Sequence, residues 1–482
     1  MGLKCNAKHG VKAQLLSRFP DAFRKYSTLV DARDASNASR EEAFACIDGN
    51  VLMMAVPKTC RTFDAYVGIV YSSLLRAIAT AMVTVVVFDD PDSMTEAKKE
   101  EQKKRDSQRA ATSVVCSEEL QPPNNDDYTK ELIMENQNVH DLKNCRGTRM
   151  RFYDEVAMTA MERLKVQISK WNNSGYPGGY VAMDGVDCRG ASRGIGEKRV
   201  AGFVSSSDGL EEVFAREANI GEGDLKLAFL GRRVREMTTK ESTEGLPCPV
   251  DVDAQTDAHK EHVGRLKRTK LTLCTTIDTD SFAIELLEEA RRSGQSAASS
   301  ANTLLCMRDR QNKRGRDEDA ESCYLCCDVA LLHELIQRYM FGISRNPSAN
   351  DQRAAMSLMV AGWSLCGCDF VEVKGMRSDI VFDSMPKLIK KQEAILHKMQ
   401  FAWAGQRDAL VMIHEPIRDL LIECAHKLID VRTQKKMDAI DNMMHPNDIV
   451  INRAAWVCAY WNSCEYKGNM SDFGFVSEAH AA

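Results

Sequence analysis

The stretch Leu271–Phe282, LTLCTTIDTDSF, decides how the rest of the chain is read. Leu271, Leu273, Thr275, Thr276 and Ile277 make a short apolar, β-branched run, the length of a buried strand. Two aspartates two residues apart, Asp278 and Asp280, follow where such a strand leaves its sheet. In open α/β sheets ligands are met outside the carboxyl ends of the strands. A strand-end aspartate standing alone is as readily the N-cap of the next helix. On an extended chain, side chains two residues apart point the same way. Both carboxylates are therefore expected to face one place, and Asp280→Asn to fold at least as stably as the native chain by relieving repulsion.

The same pattern recurs upstream. Phe44–Asn50 (FACIDGN) is a short apolar run ending in Asp48, and Val83–Phe88 (VTVVVF) is the clearest buried strand, followed by Asp89 and Asp90. In Ile220–Asp224 (IGEGD), Glu222 and Asp224 precede LKLAFLGRRVRE. They open a helix there, where the dipole favours carboxylates. Met356–Asp369 (MSLMVAGWSLCGCD) is helix-like and delivers Asp369 shortly after a glycine. Asp48, Asp89, Glu222, Asp224, Asp278, Asp280 and Asp369 thus all stand at element ends. If the fold gathers them they repel, and cations must compensate. Oxygen donors without His or Cys suit Mg²⁺ or Mn²⁺. Two such ions about 4 Å apart serve phosphodiester hydrolysis. No Ser-His-Asp or Cys-His arrangement and no GxxxxGK[ST] phosphate loop competes. Periodicity alone does not show that the acids converge.

The chain has 482 residues, enough for one elaborated domain or two. Its 64 basic and 69 acidic residues give a net charge of -5, which argues against a globally basic nucleic-acid binder and leaves room for local basic patches. No apolar run approaches the roughly 20 residues of a membrane span; Ala77–Phe88 is short and interrupted by Thr80 and Thr84. The opening MGLKCNAKHG does not read as a secretory signal. Seventeen cysteines, an odd number, then read as reduced intracellular thiols. Cys323-x-x-Cys326-Cys327 lacks the partners of a four-ligand zinc site and reads as packed thiols.

Lys12–Phe23, 63–81, 152–172 and most of 385–482 carry helical patterning. Ser93–Gln108 (SMTEAKKEEQKKRDSQ) is either a solvated helix held by its own i,i+4 pairs or a basic ridge for a phosphate backbone, with Lys98, Lys103, Lys104 and Arg105 in contact. The glycine-rich 176–196 segment reads as a loop, and its Gly194-Ile195-Gly196 as a loop or a phosphate-holding hairpin. Two polar stretches, 236–268 and 290–322, are expected to be exposed, mobile insertions.

In order and context these motifs resemble the flap-endonuclease/XPG superfamily of 5′ nucleases, with kinship to the XRN-type 5′→3′ exoribonucleases. Met1-Gly2-Leu3 resembles their MGI/MGV opening, "IDGN" the first strand-end aspartate, and "VVVFDD" their VFDG. "GEGD" resembles GEAE and GEGE, "TTIDTDSF" resembles TEDMD or TDADLI, and "SLCGCDF" resembles LLGCDY. The resemblance covers roughly 1–110 and 215–390. It implies a PIN-like α/β core: a twisted, mostly parallel sheet flanked by helices. It also implies two Mg²⁺ or Mn²⁺ ions held by the seven acids, and a nucleic-acid substrate, branched or 5′-ended DNA first and RNA second. Lys374 falls in the helix-two-turn-helix region, where Lys374-Gly375-Met376-Arg377 replaces the usual GIG. Asp90 stands in place of the Gly of VFDG, and there is no evident sliding-clamp peptide. These are the departures of a fast-evolving member, such as those large DNA viruses carry, working in a nucleus or a cytoplasmic viral replication site.

The expected parse is 1–110 as the first part of the core, 111–214 as an arch-like insertion, 215–392 as the second part, and 393–482 as a helical C-terminal region. The expected activity is structure-specific 5′ cleavage of DNA. Its alternatives are a 5′→3′ exoribonuclease and a non-catalytic nucleic-acid-binding or structural protein on a nuclease scaffold.

Overall fold

The structure, a computed structural model, describes residues 3, 10–54, 56, 60, 62–89, 95, 146–175, 178–184, 203–215, 220–239, 256–292, 301–309, 323–343, 346–368, 370–391, 407–429 and 434–462. The first third holds α1 (Val11–Arg18), β1 (Phe23–Tyr26), α2 (Leu29–Ala35), β2 (Ala43–Asp48), α3 (Gly49–Met54), α4 (Phe63–Thr80) and β3 (Val83–Val87). Next come α5 (Arg146–Asn173), β4 (Tyr180–Asp184), β5 (Phe203–Ser205), α6 (Leu210–Val213), α7 (Gly223–Thr239) and α8 (Asp257–Leu266). Then follow β6 (Leu271–Thr276), α9 (Asp280–Arg292), β7 (Asn302–Asp309), β8 (Cys323–Asp328) and α10 (Val329–Phe341). The last described elements are α11 (Ala349–Leu365), α12 (Ser378–Lys391), α13 (Arg407–Ile429), α14 (Gln434–Met444) and α15 (Asp448–Asn462).

The fold is α/β, built on a mixed eight-stranded sheet of order β1-β8-β7-β6-β2-β3-β4-β5. The five central strands, β7-β6-β2-β3-β4, run parallel, and β1, β8 and β5 join antiparallel at the edges. Parallel strands are covered on both faces, which is why β2, β3 and β6 are buried at every position. Alternation divides their side chains between the two faces. Phe44, Cys46, Val83, Val85, Val87 and Cys274 pack under the cluster that includes α7, α9 and α11. Ile47, Val86, Val181 and Met183 pack under α4 and α5, and Ala43, Ala45, Leu271 and Leu273 face the α2 side. The described cysteines are all free; Cys46 and Cys274, paired across β2 and β6, lie 3.1 Å apart at sulfur.

Several expectations need correction. Within 290–322, Asn302–Asp309 is not an exposed insertion: β7 is a central strand in register with β6. Its core residues Leu304, Leu305, Cys306 and Met307 are buried, although polar, low-complexity sequence flanks them. Within 236–268, α7 continues to Thr239 and α8 is packed, with His259, His262 and Leu266 buried. Part of the glycine-rich 176–196 segment is strand β4, and the end of the expected Lys12–Phe23 helix becomes the short edge strand β1. The GIG at 194–196 and all of 111–145 lie outside the described residues.

The C-terminal region is helical, as its patterning indicates, and it packs on the core. Phe370 sits against Trp456 and Tyr460 of α15, with ring centroids 5.1 Å and 6.2 Å away. The two α15 rings stack at 4.8 Å. The turn after α11 is thereby seated on the last described helix.

A candidate acidic site at the carboxyl edge

Asp48 is the last residue of β2, the strand between β6 and β3. It pairs with Val87, so Asp89 emerges two residues beyond the same level of β3. Asp48 is only 5 % exposed, and its Oδ1 accepts the Asn50 N–H at 2.9 Å. The next residue must be glycine: a Cβ on Gly49 would fall 2.1 Å from the Phe88 ring.

The other acids arrive from two helix starts. Gly223 opens α7 and donates its N–H to Asp89 Oδ1 at 2.8 Å, joining the helix's first turn to the end of β3. A Cβ on Gly223 would lie 3.4 Å from that oxygen and 3.9 Å from Asp48 Oδ1, so the two carboxylate oxygens are no more than about 7 Å apart. Asp224 Oδ1 accepts hydroxyl bonds from Ser281 (2.6 Å) and Thr276 (3.1 Å), which tie α7 to the β6–α9 turn. Thr276 Oγ1 in turn accepts the Asp278 N–H at 3.0 Å. Burial first, then the charges of Asp224, Asp89 and Asp278, hold the Asp48 carboxyl well above the usual carboxylate range. Asp48 therefore feels three acids from three other chain segments. Glu222 is buried immediately before α7.

Asp280 behaves differently from the expectation. The strand stops at Thr276, so strand parity does not govern Asp278 and Asp280. Asp280 occupies the first turn of α9, where its Oδ1 accepts the Leu3 N–H, while Thr279 Oγ1 donates to the Leu3 carbonyl at 3.0 Å. The pair grips the third residue of the chain. Lys374 is exposed in the turn before α12. Asp369, Lys98, Lys103, Lys104 and Arg105 lie outside the described residues.

Two further charged residues at this edge were not among the sequence candidates. Asp184 ends β4, and Lys226 lies one turn into α7. They form an ion pair whose side chains are 1 % and 0 % exposed, and Lys226 Nζ also donates to the Phe88 carbonyl at 3.0 Å. The signal was present, since "YVAMD" repeats the apolar-run-then-acid pattern of β2 and β3; the surrounding glycines disguised it as a loop.

Among the described residues, no group of three or more His, Cys, Asp or Glu side chains is drawn together as a metal-ion cage. Without a cation, unit negative charges about 4 Å apart repel by about 4 kcal/mol at an effective dielectric of about 20. The carboxylates instead accept hydrogen bonds from Asn50, Gly223, Thr276 and Ser281. Among the described residues no helix is long and apolar enough to cross a membrane. No protein-family model matches the chain, and no curated protein is significantly similar to it.

Proposed function

We propose that the chain is a divalent-cation-dependent 5′ nuclease on a PIN-like core, cleaving phosphodiester bonds in branched or 5′-ended DNA in replication, repair or recombination. The observation that carries this reading is the convergence on buried Asp48 of Asp89, Asp224 and Asp278 at the carboxyl edge of a parallel sheet. Concentrated buried carboxylates are costly unless a cation compensates them. Their all-oxygen donor set fits Mg²⁺ or Mn²⁺. Asp48, Asp89, Asp224 and Asp278 would hold the ions, with Glu222 beside them and Asp369 assigned from its motif.

Bound there, two ions would supply Lewis acidity and neutralise charge developing on the phosphate. The protein's part is positioning. The Gly223 amide orients Asp89, and the Ser281 and Thr276 hydroxyls orient Asp224. Asp48, fixed by the Asn50 amide at the end of the central strand, shares the site with both. Asp280, engaged with Leu3, is assigned an anchoring part first and a ligand's part second.

The test is cleavage of 5′-labelled flap, nicked and single-stranded DNA, and of 5′-monophosphate RNA, with Mg²⁺ or with chelator. Magnesium-dependent cutting of the 5′ flap, abolished in Asp224→Asn, is the expected result. Processive degradation of RNA alone would select the exoribonuclease alternative. Absence of cleavage on every substrate, with native folding, would leave the non-catalytic alternative.

A further inference from the structure

We propose that Lys226 and Asp184 are a positioning pair that locks the first turn of α7 onto the end of β3, and so sets where Asp89 stands in the acidic site. The proposal takes its purpose from the nuclease reading above, but its geometry is independent of it.

The ammonium group of Lys226 has an unusual placement for a helix lysine. Lys226 follows Asp224 by two residues and Glu222 by one helical turn, and its backbone N–H donates to the Glu222 carbonyl at 3.0 Å. Its side chain runs inward and is fully buried. There Nζ meets two different strand ends: the carboxylate of Asp184, the last residue of β4, and the Phe88 carbonyl just after β3. Phe88 is the residue immediately before Asp89. The Gly223 N–H bond to Asp89 Oδ1 spans the same seam. Two bonds therefore cross between residues 88–89 and the opening of α7, one from each side of Asp224. Asp89 is held through its own carboxylate and through the peptide that precedes it.

Lys226 and Asp184 neutralise each other, so the lysine is a poor counter-ion for the neighbouring acids. A buried ion pair is also weak evidence for stability, because well-packed apolar side chains often serve as well. What an apolar pair would not supply is a donor aimed at the Phe88 carbonyl. Gly49 limits the alternatives: the Phe88 ring occupies the space where a Gly49 side chain would go, so this peptide is confined from the other side too. Outer partners that orient metal-ligating carboxylates typically change metal affinity by about 10–100-fold when removed.

The test uses the full chain and the double variant Lys226→Met/Asp184→Leu, which removes both charges and strands neither. Amide hydrogen exchange of peptides covering 220–230 reports the Gly223–Asp89 bond, and a Mn²⁺ titration of the melting temperature reports ligand placement. The expected result is a folded double variant with at least about 10-fold faster exchange at Gly223, unchanged exchange in β7 and α11, and a Mn²⁺ midpoint raised about 10-fold or more. Lys226→Arg, which keeps a donor and the charge, should recover most of the Gly223 protection. A double variant with native Gly223 protection and native Mn²⁺ response would overturn the proposal by making the pair dispensable. One that fails to fold would overturn it by making the pair a requirement of the core. Loosened Gly223 exchange in a protein whose native form shows no Mn²⁺ response would remove the nuclease reading and leave the positioning pair standing.

Discussion

Asp48→Asn should stabilise the metal-free protein at neutral pH. Asparagine keeps an oxygen for the Asn50 amide and fits the same space, so the substitution removes charge and little else. The Asp48 and Asp89 oxygens are no more than about 7 Å apart, which at an effective dielectric of about 20 is about 2 kcal/mol of repulsion. Burial and the charges of Asp224 and Asp278 act in the same direction. The sign with pH follows from linkage. A carboxyl whose folded-state pKa is raised contributes its stability at low pH and loses it as pH rises from about 4 through the folded value. The Asp48 contribution to native stability should therefore weaken as pH climbs above about 4, and the variant should lack that component. At pH 7.5 with chelator the variant should melt a few degrees higher. Saturating Mg²⁺ at about 100 times its dissociation constant should stabilise native protein by about 2.7 kcal/mol and the variant by much less, narrowing or reversing the order. Melting curves at pH 5 and 7.5, with and without Mg²⁺, make the comparison. A variant less stable than native protein in chelator at pH 7.5 would refute the claim that these carboxylates share one unfavourable site.

Three further outcomes are expected. Burial pushes the Glu285 carboxyl up to about 7 against the pull of Arg235, so its stability is present at low pH and lost between about 4.5 and 7; Glu285→Gln should gain about 3 kcal/mol at pH 8 and nothing at pH 4.5, read from urea titrations. His333 is held down to about 4 by burial and by Arg292. It contributes stability above about 6.5 that is lost as pH falls towards 4, about 3 kcal/mol in all, and His333→Gln should flatten that part of the profile in the same titrations. Asp280→Asn should now cost about 1 kcal/mol, because a charge-assisted bond to the Leu3 amide is weakened; a melting temperature at or above native in chelator would return Asp280 to the repelling cluster.

The parts of the sheet legible in the sequence are those where local chemistry and burial agree. VTVVV, FACID and LTLCTT are apolar on both faces because parallel strands are covered on both faces, and each announces itself without a partner. β1 could not announce itself: at an antiparallel edge FRKY has only its end residues half-buried and exposes Arg24 and Lys25, so its apolar content is low. In β7 the core LLCM is short and lies between serine-rich and charged flanks, and only its register with β6 identifies it. The acids at strand ends were visible as a repeated pattern. What no local pattern contains is the side-chain consequence of a tertiary turn. Asp280 opens α9, with its carboxylate on Leu3, because β6 stops at Thr276. Lys226 looks like a solvated helix residue until α7 is laid across the ends of β3 and β4.

The position of β2 between β3 and β6 also has a consequence during synthesis. β2 and β3 leave the ribosome early, but the strand that covers the other edge of β2 begins at Leu271. Roughly 180 residues separate the end of β3 from β6, and at roughly 5–20 residues per second that is an interval of about 10 to 40 s. Through it, the backbone edge of AFACID waits unpaired beside VTVVV, two neighbouring apolar segments with no proline in either. Such an edge is a template for another chain's strand. The nascent protein should therefore depend on holdase chaperones until residue 276 has emerged, and fragments ending between Val87 and Leu271 should aggregate where the whole chain stays soluble.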